Sequence, residues 1–197
     1  MPQCQAYLAG PDVFLPHAAA NGAAKVAICA KYGMIGRPPL NPEIEHILTL
    51  SHDAAWRKIY LNDIRMMEEC DIVIANLTPF RGASADAGTL VEIGWFLGRG
   101  RPVFGYSNSA VKFSARSDAQ VAAVPDPLAG LAVEGFSLCD NLMIPGAVEY
   151  GGGLPITLPV DGVERAFDAL DVFEECVKQA VAFLKKMPGR AASAKNF

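Results

Sequence analysis

The feature that most limits what this chain can fold into is the regular alternation of short apolar runs with segments of helical length. Ala6 to Ala9, Met34 to Leu40, Ile72 to Leu77 and Pro102 to Tyr106 read as buried strands. Between and after them lie Ala18 to Lys31, Ala54 to Glu69, Ala87 to Arg99 and Val163 to Lys186, each long enough for a helix. Such alternation implies parallel strands joined by right-handed crossovers, hence an α/β fold with helices on both faces of an open parallel sheet. A sheet of this kind takes its ligand outside the carboxyl ends of the strands, where the strand order reverses. The loops Gly10 to His17 and Thr78 to Asp86 are therefore the places to look for chemistry.

At 197 residues, 51% hydrophobic and 19% charged, the chain is expected to form a single domain over residues 1–190, with 191–197 as a flexible tail. The stretch 107–135 has weak periodicity and reads as an insertion or mobile loop, and Gly151-Gly-Gly reads as a flexible connection. A net charge of −4 gives no general attraction to a nucleic acid polymer or to a membrane surface. The five cysteines are widely spaced with no C-x-x-C pair, so reduced, mostly buried thiols are expected. The first residues lack a basic stretch before a short apolar run that breaks at Gly10-Pro11, and no stretch approaches the ~20 apolar residues of a membrane span. The cytoplasm is the expected compartment.

No cofactor is expected. The first strand is not followed by G-x-G-x-x-G, and Gly82 to Gly88 lacks the Lys-Ser/Thr of a P-loop. His17, His46 and His52 have neither metal-ligand spacing nor a neighbouring Cys, so no metal site is expected either. What remains is a set of carboxylates in apolar settings. Glu92 is the only charged residue between Asp86 and Arg99, in a segment with almost no polar face, which reads as a buried helix. A glutamate buried there must be paired, neutral or functional, because an isolated buried carboxylate costs several kcal/mol. It is either a structural residue bonded to a nearby loop or a reactive one. Asp63 falls on one helical stripe with Trp56, Tyr60 and Met67 and so is placed on the core face, either as a functional acid or at the stripe edge where its carboxylate reaches water or Arg57. Asp86 precedes the Glu92 helix, where it can cap the free N–H groups while still facing the ligand crevice.

Three stretches together resemble the nucleoside 2-deoxyribosyltransferases: Tyr7-Leu-Ala-Gly-Pro-Asp-Val-Phe14, Asp71-Ile-Val-Ile-Ala-Asn-Leu-Thr-Pro-Phe-Arg-Gly82 leading into Asp86-Ala-Gly-Thr-Leu-Val-Glu92-Ile-Gly, and Asp140-Asn-Leu-Met-Ile144. The resemblance implies a flavodoxin-like sheet and a transfer of 2-deoxyribosyl groups between nucleobases. It makes Glu92 the nucleophile, Tyr7 the hydroxyl that orients it, and Asp86 and Asp63 the acids that contact the base. Asn141 becomes the asparagine that reaches a neighbouring subunit's site in a homo-oligomer and binds the sugar 5'-hydroxyl. Phe14 is placed near the base, and Gly10 and Gly88 with the substrate contacts. The implied partners are purine 2'-deoxynucleosides and free bases, with pyrimidines left open.

These residue types suit the chemistry. Cleaving an N-glycosidic bond with retention needs a carboxylate on the sugar face opposite the base and an acid that protonates the base. A second base then attacks the deoxyribosyl ester, and two displacements restore the β configuration. Two rivals remain: a hydrolase of 2'-deoxynucleoside 5'-monophosphates, and a non-catalytic nucleotide-binding module on the same scaffold. A 5' site built from Asn141 and Glu92 argues against the first, since it favours a neutral hydroxyl and repels a phosphate dianion.

Overall fold

The computed structural model describes residues 3–40, 43–123, 130 and 132–186. Four strands, β1 (Gln5–Tyr7), β2 (Ile35–Arg37), β3 (Ile72–Asn76) and β4 (Val103–Tyr106), pair in parallel in the order β2-β1-β3-β4. A single parallel bridge from Tyr106 to Thr157 extends the sheet beyond β4. This is the doubly wound order of flavodoxin-like sheets, and its reversal falls between β1 and β3. The crevice is thus flanked by the loops that follow those two strands.

Around the sheet lie α1 (Ala18–Lys31), α2 (Ile44–Ile47), α3 (His52–Glu69), α4 (Ala87–Gly98), α5 (Phe113–Ala123), α6 (Met143–Gly152) and α7 (Asp171–Lys186). The period-2 alternation of the strands divides the core in two. Ala6, Ile72, Ile74 and Phe104 point to one face, where Cys29 of α1 and Phe173 of α7 cover them. Tyr7, Val73, Ala75 and Val103 point to the other, against α3, α4 and α6. Helices on both faces explain why the strands are continuously apolar. The expected single α/β domain is found.

Several local expectations are corrected. The segment 107–135 contains a helix, α5, although no side chain in it is buried. It is held by polar contacts: Arg116 donates to the carbonyls of Ala83 and Cys139 at 2.8 and 2.6 Å, and Gln120 accepts from the Ala83 N–H at 2.8 Å. The last helix begins at Asp171 and not near Val163. Asn108 takes the carbonyls of Ala166, Phe167 and Ala169, and Arg165 bridges Asp161 and Asp171, so the backbone of this stretch is committed elsewhere. Gly151 and Gly152 are not a flexible connection: they end α6 against β4, where a β-carbon on Gly152 would lie 1.9 Å from the Val103 carbonyl oxygen. The 191–197 tail lies outside the described residues.

Two helices are less buried than their sequences imply. On α3 only the C-terminal half packs on the sheet, through Ile64 and Met67, and Trp56 and Tyr60 are about half exposed. On α4, Ile93 and Phe96 enter the core while Val91 stands 68% exposed on the outer face. An apolar helix with a bare face differs from a buried one. Among the described residues no helix is long and apolar enough to cross a membrane. All five cysteines are free thiols, three of them buried and Cys4 and Cys139 half-buried.

Candidate active site

Strand alternation sends Tyr7 to the α4 side of the sheet, fully buried. Its hydroxyl donates a 2.6 Å hydrogen bond to Glu92 Oε1 from 85 residues away. Burial pushes the Glu92 carboxyl up to about 7; the Tyr7 hydrogen bond opposes this, and the charges of Asp63 and Asp86 add to it. The Tyr7 phenol is raised far above its ordinary range, by burial first and then by Glu92, so it stays a donor. Glu92 is therefore half-buried, hydrogen-bonded and close to half ionised at neutral pH. It is neither bonded to a loop backbone nor in an ion pair among the described residues.

Asp86 is the N-cap of α4, and its Oδ2 accepts from both the N–H and the hydroxyl of Thr89, at 3.0 and 3.1 Å. The capping reading is what the structure shows. Both bonds go to one oxygen, which leaves Oδ1 able to meet a ligand. Asp63 differs. It has no hydrogen bond or ion pair among the described residues, and burial alone raises its carboxyl to about 6. Its charge reaches both Tyr7 and Glu92. It also lines a cavity of about 300 Å³ together with Arg37, Asn62, Arg65 and Met66. A carboxyl that is desolvated and unpaired beside a cavity is the better proton donor of the two.

The rim of the crevice is aromatic. Phe14, 59% exposed, lies parallel to Phe80 with centroids 5.7 Å apart, and Phe167 tilts onto Phe80 at 5.9 Å. The Arg81 guanidinium sits 5.0 Å from the Phe14 ring and 4.6 Å from the Phe80 ring. Arg81 holds a left-handed backbone, φ 56°, which is costly for a residue with a β-carbon. Gly10 also has positive φ, 152°, and a β-carbon there would strike Asn76. Gly88, in the first turn of α4, has its missing β-carbon 3.1 Å from Asp86 Oδ2.

Asn141 is turned towards its own chain: its amide donates to the Glu134 carboxylate, and its Oδ1 accepts from the Met143 N–H at 3.1 Å at the start of α6. The apolar residues after it lead into that helix. Phe80, Arg81 and Asp140 were not singled out from the sequence. Asp140 is 1% exposed and gathers three donors: the Ser84 hydroxyl at 2.5 Å, the Ala85 N–H at 2.9 Å and the Asn141 N–H at 2.8 Å. One buried carboxylate thus ties the loop that ends in Asp86 to the loop that carries Asn141. All three lie in stretches that carry the family resemblance, which assigned them no role.

An open parallel sheet with a desolvated glutamate held by a tyrosine, and two more acids whose charges reach it, is an arrangement suited to carboxylate chemistry. The nucleoside 2-deoxyribosyltransferase family model matches residues 6–143, and the chain belongs to that family. A 2-deoxyribosyltransferase from Leishmania mexicana has a similar structure, with a TM-score of 0.61 and 25% identity over 92% of this chain and 98% of that one. A conserved protein from Enterococcus faecalis shares the fold, with a TM-score of 0.51 and 19% identity over 90% and 99%. An uncharacterised protein of Schizosaccharomyces pombe is 28% identical over 90% of this chain and 89% of its own. Family and fold together support deoxyribosyltransferase-type activity.

Proposed function

We propose that this protein exchanges nucleobases on 2-deoxyribose by double displacement, with Glu92 as the nucleophile. The observation that carries this reading is the 2.6 Å bond from the buried Tyr7 hydroxyl to Glu92. It fixes one carboxylate oxygen and leaves the other for the sugar. Glu92 attacks C1' as the C1'–N bond to the base breaks, and the electron pair of that bond goes to the base nitrogen. Asp63 supplies the proton the leaving base takes up, and Asp86 Oδ1 accepts from the base's N–H groups. The transition state resembles an oxocarbenium ion, which forms more readily without a 2-hydroxyl. A second base then attacks C1' of the ester, releases Glu92 and returns its own proton to Asp63.

The base packs against the Phe14 and Phe80 pair at the mouth. Asn141 completes the site of a neighbouring subunit by binding the sugar 5'-hydroxyl, which requires it to leave Glu134. The bare outer face of α4 and the exposed Leu142 and Met143 beside Asn141 support a homo-oligomer. Incubating the protein with deoxyinosine and free adenine, followed by chromatography, tests the reading: deoxyadenosine should appear. Net release of hypoxanthine with no new nucleoside would make the protein a hydrolase, and no reaction at all would make it a binding module. Without an acceptor, the peptide containing Glu92 should gain the mass of one deoxyribosyl unit, and Glu92→Ala should abolish both signals. An active Glu92→Ala protein would sink the assignment, because loss of a covalent nucleophile costs many orders of magnitude.

A further inference from the structure

Beneath the aromatic rim lies a buried ion pair that the reaction above does not use. Lys25, on the inner face of α1, is 3% exposed, and its Nζ lies 2.7 Å from Asp12 Oδ2. The ammonium also lies 5.4 and 5.2 Å from the ring centroids of Tyr106 and Phe173. Asn76 Nδ2 donates to both oxygens of Asp12, at 3.1 and 3.2 Å, and Asn76 Oδ1 accepts from the Thr78 N–H at 3.1 Å. Asp12 stands in the 3-10 turn Pro11–Phe14, so the turn that ends in Phe14 is tied to the start of the loop that carries Phe80. Gly10 lets the two meet: a β-carbon there would lie 2.7 Å from Asn76 Cβ and 2.6 Å from Asp12 Oδ2.

Stability alone gives no reason to bury this pair. Two charges lose their hydration, and an apolar pair of similar volume commonly holds a fold as well or better. Desolvation pushes the Lys25 amine down, against the pull of Asp12, so the site is costly for the ammonium. What the pair supplies that apolar side chains do not is direction, because hydrogen bonds fix the angle at which the Gly10–Phe14 turn leaves the sheet. We propose that Lys25, Asp12 and Asn76 are positioning residues that set the spacing of the Phe14 and Phe80 rings, and through them the binding of the nucleobase. The proposal rests on the reading that the base packs against those rings at the mouth of the site.

The test compares Lys25→Met with the double variant Asp12→Leu/Lys25→Met, which leaves no buried charge. Lys25→Met should lower Tm and raise KM for the nucleoside. The double variant should regain most of the lost Tm while KM stays about tenfold or more above wild type and kcat changes by less than about threefold. Amides of residues 12–15 should exchange about a hundredfold faster in the double variant. Asp12→Asn keeps the shape and the Asn76 contact, and should restore KM in part. A double variant whose KM returns to wild type along with its Tm overturns the proposal, since a purely structural pair would behave that way. Unchanged amide exchange in the turn, in any variant that folds, overturns it too. If wild-type protein exchanges no bases, the transfer reading fails, and amide exchange still decides whether the pair orders the turn.

Discussion

Replacing Tyr7 with Phe removes one atom, the hydroxyl that donates to Glu92 at 2.6 Å, from a position that is otherwise fully packed. The bond lowers the Glu92 pKa against burial, which has already pushed it up to about 7. A hydrogen bond to a charged group contributes about 1.5–3 kcal/mol, or about one to two pKa units. Glu92 in Tyr7→Phe should therefore titrate near 8 to 9. At pH 7 the ionised fraction falls from about one half to between one tenth and one hundredth, a loss of about five- to fiftyfold in rate. The assay is kcat/KM against pH from 5 to 10, using a deoxynucleoside whose base leaves without protonation, so that Glu92 alone governs the lower limb. That limb should move up by one to two units, with activity recovering above pH 9. A uniform loss at every pH, with the limb unmoved, would show that Tyr7 does not stabilise the Glu92 carboxylate.

Three further outcomes follow from the same geometry. Because the folded pKa of Glu92 is raised above its ordinary 4.5, the folded state holds its proton while the unfolded chain has released it, so stability falls as pH rises from about 4.5 to about 7 and stays lower above that. Glu92→Gln should thus be more stable than wild type by up to about 3 kcal/mol at pH 8 and equal to it below pH 4, by urea denaturation at each pH. Asp63→Asn should slow poorly leaving bases far more than activated ones; Asp86→Asn should keep its cap and show a smaller leaving-group dependence, while Asp86→Ala should also lose about 1 kcal/mol of stability. Equal losses across leaving groups for Asp63→Asn would remove it as the acid. Mixing inactive Glu92→Ala and Asn141→Ala under subunit exchange should restore about a quarter of the sites in a dimer, since each mixed pair holds one intact site; exchanged mixtures that stay inactive would place Asn141 in its own chain's site or in none.

The strands and the helices α1, α3 and α4 were legible because their signals are apolar and periodic, and the core uses that same pattern. The features that escaped are polar. α5 shows no apolar stripe because nothing in it is buried, and Arg116 and Gln120 hold it through backbone groups that no periodicity marks. The stretch before α7 has helix-compatible residues, yet Asn108 and Arg165 capture its backbone and its acids from a distance. The site was legible where one residue breaks a pattern, as Glu92 does in α4. Residue patterning is silent where partners meet across the fold: the link between Tyr7 and Glu92, which spans 85 residues, was expected only from the family resemblance, and that between Asp140 and Ser84, which spans 56, was not expected at all. Trp56 and Tyr60 misled for a related reason, since an amphipathic stripe does not say whether it faces the chain's own core or a partner.

The two raised acids stand in an order that bears on the reaction. The proposed reaction needs Glu92 ionised and Asp63 protonated, but burial leaves Glu92 at about 7 and Asp63 at about 6, so the proton the pair shares prefers Glu92. With one proton on the pair, the working arrangement is therefore the minority form. The cost is modest, and it brings a benefit: an acid at 6 is a stronger proton donor to a leaving nitrogen, and a carboxylate at 7 is a stronger nucleophile, than either would be with the values exchanged. A base that must be protonated to leave should therefore give a bell-shaped profile with limbs near 6 and 7 that belong to the pair. A base that leaves unaided frees the reaction from Asp63, and its profile should rise through about 7 and stay high. If both kinds of base gave the same bell, the second limb would belong to some group other than the acid that serves the base, and the division of labour between Glu92 and Asp63 would have to be withdrawn.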